Sequence, residues 1–302
     1  MNKALRKEIK KHKELYIFMI PALIILIIFS YGPMYGIIMA FQDVKIGTPI
    51  LKNEWIGLDN FARFFSGAWA GVVIKNTITI CVLSALFCWP MPLILALLLH
   101  NSTNKFIAKT AQNFSYLPHL LSIVVTIGIL RLFCDGETGL INILLVNLGQ
   151  SRINFFGDPD WVYPLYIISG MWTSTGYSAI VYLSSLSAVD NDIMEAAEID
   201  GASKLKRILL IQLPCIMPTV VTMLILNMGR LFAMGADKML LMQTSLNISS
   251  SEIISTYVYK QGIENYQYGF STAVGLFQNI VSLILVLSTN KISKKLSDVS
   301  IF

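Results

Sequence analysis

One uncharged stretch of this 302-residue sequence, 161–189, is dense in groups that stack or hydrogen-bond. It holds Ser169, Trp172, Thr173, Ser174, Thr175, Tyr177, Ser178, Tyr182, Ser184 and Ser185. Flat rings bordered by hydroxyls suit a sugar, whose C–H faces pack on aromatics while its hydroxyls demand hydrogen bonds. Trp172 and Tyr177 are spaced so that both can flank one surface of a helix. The same serines, threonines and glycines also suit close packing between helices in a membrane. In the next apolar stretch, Asn227 and Arg230 lie three apart and share a helix face. Arg230 either snorkels to the outer interface or faces a cavity, where its planar fork would favour an acidic or strongly hydrogen-bonding substrate.

Other chemistries lack their residues. His12, His100 and His119 are scattered and form no HExxH, and Cys81, Cys88, Cys134 and Cys215 form no CxxC. Neither a metal site nor a disulfide framework is expected, and the thiols read as small buried hydrophobes. Gly201-Ala202-Ser203-Lys204 lacks the second glycine and the Lys-Ser/Thr ending of a phosphate-binding loop. The chain is therefore not expected to hydrolyse ATP or to act as an enzyme.

The elements that must position these groups are membrane helices. Hydrophobic residues make up 55% of the chain and charged ones 14%, against about 25% charged in soluble domains; mean hydropathy is +0.63. The net charge of +5 is concentrated in the terminal tail and certain loops, which sets membrane orientation and does not call for nucleic acid. After a basic tail over 1–14, uncharged or nearly uncharged runs at 15–42, 76–104, 110–130, 161–189, 208–229 and 265–290 are each long enough to span a bilayer. The first is too long for a cleavable signal segment. The expectation is an all-α membrane protein over 15–302 with six transmembrane helices, both termini in the cytosol. Loops over 43–75, 131–160 and 237–264 then lie outside. Prolines at 21, 33, 90, 92, 118, 164, 214 and 218 punctuate the spans, as suits a bundle that rocks between states.

Between two of those runs, 190–214 is strongly charged and reads DNDIMEAAEIDGASKLKRILLIQLP. Glu195, Ala196 and Ala197 belong to a short helix that stops at Gly201, and Ser203 can cap a second one carrying Lys204, Lys206 and Arg207. The small residues Ala196, Ala197, Gly201 and Ala202 let another backbone approach closely. Such a knob suits force transmission from a soluble partner.

This spacing resembles the coupling loop of ABC-importer permeases, E-A-A, three residues, G, and then I-x-L-P. Glu195-Ala196-Ala197, Gly201 and Ile211-Gln212-Leu213-Pro214 fill those places. The blocks YGPMYGIIMAFQDVKIG, WIGLDNFARFF and TAVGLFQNIVSLILVLSTNKISKKLSDVSIF extend the similarity to nearly the whole chain. They look like the oligosaccharide and polysaccharide permeases of the carbohydrate-uptake ABC importers, relatives of the maltose permeases.

The resemblance implies a type I importer bundle, paired as a heterodimer with a second permease. It also implies two cytoplasmic ATPase subunits carrying ATP and magnesium, and an extracellular substrate-binding lipoprotein. Glu195, Ala196, Ala197, Asp200, Gly201, Ala202, Leu213 and Pro214 would then contact the ATPase. Matching sugar contacts of the maltose permease by offset from Glu195 lands near Thr173, Ser174 and Tyr177, beside Trp172. It lands again near Asn227, Arg230, Leu231 and Met234. Arg230, Leu231 and Met234 depart from the maltose pattern, so a different glycan is expected. An importer of a non-sugar solute, such as a peptide or phosphate ester, shares every one of these features. A stand-alone proton-coupled carrier fits less well, because none of the six runs holds a carboxylate.

Overall fold

The computed structural model describes residues 12–297. Of the basic tail expected over 1–14, residues 1–11 therefore lie outside the described residues. The first helix, α1 (Lys13–Phe41), runs 29 residues, and none of its most apolar stretch is buried within the chain. Its side chains are left for lipid or another chain to cover. Within α1 a π turn at Ile27–Tyr31 leads into a 3-10 segment at Gly32–Phe41. Pro33 cannot donate to the carbonyl four residues back, so the regular ladder yields there.

Strands β1 (Gln42–Asp43) and β2 (Glu54–Trp55) then pair antiparallel. Phe41 stacks on Trp55 at 5.4 Å between ring centroids. After α2 (Asp59–Ser66) comes α3 (Ala70–His100), which starts before the 76–104 run does and takes Lys75 into the helix rather than into an outer loop. Its π turn at Ser84–Cys88 directly precedes Trp89-Pro90-Met91-Pro92, where two prolines remove two donors in succession.

The run at 110–130 does not form one straight span. It is divided between α4 (Lys105–Leu120) and α5 (Ile123–Cys134), which meet at 105°. Asn104 caps α4, and Pro118 sits in its final 3-10 turn. Leu121 and Ser122 are extended, and the Ser122 hydroxyl accepts the Val125 N–H to start the second helix. The segments expected as outer loops are not simple loops: α2 lies within 43–75, and α6 (Leu140–Asn147) lies within 131–160.

Helix α7 (Val162–Ser187) spans 26 residues, about 39 Å at 1.5 Å per residue. It is followed by α8 (Asn191–Ile199) and α9 (Lys204–Cys215). Helix α9 passes through a π turn at Ile208–Gln212 and bends by 65° into α10 (Met217–Phe232). Pro214 and Pro218 flank that bend. The expected 208–229 span is therefore a hinged pair.

The expected loop 237–264 folds into α11 (Asp237–Met242), α12 (Ile248–Ser251) and α13 (Ile254–Tyr259). The last helix is α14 (Tyr268–Ser297). Among the described residues three helices, α1, α3 and α14, are apolar enough to cross a membrane unbroken, and the two bent pairs raise this to five. Helix α7 is long enough as well, but its hydroxyls make it less apolar.

Three apolar clusters hold the bundle together. One joins Ile80, Ile127, Leu165, Met239 and Ile253; a second joins Phe64, Val73, Phe232 and Phe270. A third packs Ala96 against Ala179, Tyr182, Leu186 and Ile216, so the residue at the 65° bend is itself core. Polar ties are buried with them. Glu252 is 3% exposed and accepts from Lys260 at 2.5 Å, Thr256 at 2.9 Å and Gln243 at 3.0 Å. The thiols differ from the expectation of uniform burial: Cys134 is buried, Cys81 and Cys88 are half-buried, and Cys215 beside the bend is exposed. Cys81 instead donates to the Leu231 carbonyl at 3.0 Å, tying α3 to α10.

Candidate functional site

Helices α3, α7, α10 and α11 enclose a cavity of about 460 Å³. Helix α7 contributes Tyr166, Gly170, Thr173, Ser174, Tyr177 and Val181 to it, steps of three and four that make one helix face. Helix α10 contributes Leu226, Asn227, Arg230 and Leu231; α3 contributes Cys88, Trp89 and Pro92 through its proline-broken turn; and α11 contributes Lys238. No lining residue is an aspartate or glutamate.

The α7 hydroxyls turn their hydrogens inward to the helix. Thr173 donates to the Ser169 carbonyl at 2.9 Å, and Ser174 to that of Gly170 at 2.7 Å. Their lone pairs remain to accept from a guest hydroxyl. Asn227 likewise donates to Met223 O at 2.8 Å. Donors come from elsewhere: the buried Trp89 indole N–H has no partner among the described residues, and the side chain of the exposed Arg230 forms no hydrogen bond or ion pair among them.

Tyr177 is 54% exposed, and its ring stacks on His119 at 4.0 Å with planes 8° apart. His119 comes from the broken turn ending α4, so the kink at Pro118 supplies one wall of the aromatic pair. Gly176 makes that approach possible, because a Cβ there would lie 2.0 Å from the Ser115 carbonyl oxygen. Lys238 donates to the Tyr166 carbonyl at 2.6 Å, and its ammonium sits 3.9 Å from the centre of the Tyr166 ring. Burial pushes that ammonium down to about 8, which leaves it mainly charged at neutral pH.

Of the candidate substrate contacts, Thr173, Ser174, Tyr177, Asn227, Arg230 and Leu231 line the cavity, whereas Trp172 and Met234 do not. Trp172 is one residue, about 100°, off the lining face, and it is exposed. Met234 lies behind the wall, where its sulfur accepts the Tyr166 hydroxyl at 3.6 Å. Residues missed by sequence reasoning are Tyr166, Trp89 and Lys238. Tyr166 could have been found by extending the α7 stripe backwards. Lys238 left no signal, since a lysine in an apparent outer loop reads as solvated.

Away from the cavity, α8 and α9 form the expected knob. The Asp190 side chain accepts the Asp192 N–H at 2.9 Å and starts α8; Ser203 caps α9. Gly201 ends the first helix at φ +76. Ala202 N–H returns to Ala197 O at 2.9 Å to close the turn. Glu195, Ala196, Asp200, Gly201 and Pro214 are exposed, while Ala197, Ala202 and Leu213 are half-buried. Ile199 at the tip is 87% exposed. Arg207 pairs with Glu198 across the two helices. Gln212, buried in the π turn, exchanges amide hydrogen bonds with Asn101 at 2.7 and 3.1 Å, tying the knob's exit to the end of α3.

Residues 90–298 match the family described as "Binding-protein-dependent transport system inner membrane component". Protein LplB of Bacillus subtilis (strain 168) is 38% identical over 97% of this chain and 92% of its own length. The polygalacturonan/rhamnogalacturonan transport system permease protein YteP of the same organism is 38% identical over 97% of this chain and 91% of its own. Among solved structures, a chain of a bacterial alginate ABC transporter in complex with alginate pentasaccharide-bound periplasmic protein superposes with a TM-score of 0.90. That match has 34% identity and covers 99% of this chain and 100% of that one. On sequence and fold alike, the chain belongs to the binding-protein-dependent transport system inner membrane components, as a multi-pass permease.

Proposed function

We propose that this chain is the permease subunit of an ATP-driven importer that takes up an acidic oligosaccharide delivered by an extracellular binding protein. The observation that carries the acidic part is Arg230. Its guanidinium lines a cavity of aromatic rings and hydroxyls without a protein partner among the described residues, and no carboxylate shares the wall. A planar fork left open in such a place suits the carboxylate of a uronate. Tyr177 and Trp89 supply flat surfaces for sugar rings, and Thr173, Ser174 and Asn227 supply acceptors for their hydroxyls. The substrates of these similar transporters, polygalacturonan/rhamnogalacturonan and the acidic polysaccharide alginate, agree with that chemistry.

In this reading the chain spans the membrane six times over 15–302, with both termini in the cytosol. Helix α7 and the two bent pairs count as full spans. A second permease completes the passage, lipid covers much of α1, and two ATPase subunits carrying ATP and magnesium sit on the cytosolic side. Glu195, Ala196, Ala197, Asp200, Gly201 and Ala202 dock on the ATPase, and Leu213 and Pro214 carry the displacement through the 65° bend into α10. The knob lies between α7 and α10, the two helices that supply most of the cavity wall. A push at Gly201 therefore reaches both sides of the cavity.

Binding-protein-dependent uptake into proteoliposomes holding the full importer tests the reading. Arg230→Ala lowers uptake of galacturonate oligosaccharides roughly tenfold relative to neutral ones of equal length, as loss of a charge-assisted hydrogen bond implies. Equal loss for both classes would show that Arg230 only packs.

A further inference from the structure

Two lysines of this chain lie partly buried in polar networks, and the protein treats them differently. Lys260 lies 2.5 Å from the Glu252 carboxylate, with its charge balanced inside the fold. Lys238 has no carboxylate partner among the described residues. One of its hydrogens goes to the Tyr166 carbonyl at 2.6 Å, and a second interaction is with the face of that ring. No oxygen among the described residues accepts the remaining hydrogens. An ammonium withdrawn from water without a counter-ion is costly, and this one lines the cavity. Gly170 lies beside it on α7: a Cβ there would sit in ordinary contact, 3.4 Å from the ammonium nitrogen and 3.5 Å from the Cys88 sulfur.

We propose that Lys238 is a second specificity-determining residue of the cavity, whose ammonium pairs with a uronate carboxylate of the transported oligosaccharide. This rests on the acidic-oligosaccharide reading. Tyr166 holds the amine by one hydrogen bond and its ring face, and the carboxylate takes the hydrogens that the protein leaves open. Arg230 comes from α10 and Lys238 from α11, so the two cations reach the cavity from separate elements. A charge on each favours a guest carrying more than one carboxylate over a neutral glycan of the same size.

The test uses the assembled importer, with an α-1,4-linked galacturonate trisaccharide and its carboxyl-reduced neutral counterpart as probes. The same binding protein delivers both, so its own preference cancels when variants are compared by the ratio of acidic to neutral uptake. Lys238→Gln keeps an N–H for the Tyr166 carbonyl and removes the charge; the ratio falls roughly tenfold and recovers in Lys238→Arg. A ratio unchanged in Lys238→Gln but lowered in Arg230→Ala overturns the role of Lys238 and leaves the acidic reading standing. A ratio moved by neither variant overturns both. Should the glutamine variant fail to assemble, 13C-methylated lysine resonances of the unsubstituted importer provide a second readout. The Lys238 signal moves on adding the acidic trisaccharide and stays put with the neutral one; no movement with the acidic probe refutes the proposal.

Discussion

Gly201 allows the knob's role to be separated from its shape. The residue sits at φ +76, where an L side chain is strained by about 1–2 kcal/mol and asparagine or aspartate by less. A Cβ there would meet no atom within 4 Å, so strain is the whole internal penalty. Strain of that size alters the population of the native turn by a factor of about 5–30 at most and leaves the spans intact. If strain were what mattered, Gly201→Ala would be the worst substitution, and Gly201→Asn and Gly201→Asp would be tolerated. If the exposed glycine is instead where an ATPase backbone closes in, size and charge set the order: alanine is mild, asparagine severe, aspartate at least as severe. The two explanations rank the same three variants oppositely. The assay is binding-protein-stimulated ATP hydrolysis by the reconstituted importer, with co-purification of the second permease as the check on folding. Losses beyond about 30-fold for asparagine or aspartate, with alanine retaining most activity, are the expected outcome. Alanine proving the most damaging would refute docking at Gly201 and reduce the residue to a turn former.

Tyr177→Ala removes the ring that stacks on His119 at 4.0 Å and lowers uptake about 2- to 10-fold, as loss of one aromatic face implies. Tyr177→Phe keeps most of the activity, and a phenylalanine variant as weak as alanine would assign the effect to the hydroxyl instead. Glu252→Ala leaves the Lys260 ammonium and the Gln243 amide without their acceptor, while the Thr256 hydroxyl still has the Ile253 carbonyl. The change destabilises by about 3–5 kcal/mol, read as a lower apparent Tm of the solubilised chain. Lys260→Met in the same background restores part of it, and additivity of the two losses would show that the ion pair does not exist.

Much of the site was legible because it rests on local chemistry. The glycine stop, the Ser203 cap and the small residues between them dictate a helix–turn–helix knob whatever surrounds it. Thr173, Ser174 and Tyr177 were reached through the resemblance, by offset from Glu195, and the structure places them on one face of α7. Trp172 falls off the cavity wall because a spacing of five is compatible with one surface but does not choose which surface. Met234 falls behind the cavity wall because an offset carried from a relative runs past the end of α10 at Phe232, where helical counting no longer applies.

Composition and the length of the uncharged runs determined that this is a helical membrane protein, since burial in lipid requires only a local excess of apolar residues and internally paired backbone. The order of knob and flanking spans, and the absence of intramembrane carboxylates, were also readable from the chain. Tertiary structure alone decided that the 110–130 run folds back at 105° to bring His119 onto Tyr177. It alone brought Lys238, from a segment expected to be an outer loop, onto the cavity wall. Both depend on which non-local surfaces meet, the first on Gly176 admitting the Ser115 backbone, and no periodicity along the chain encodes contacts between residues that far apart.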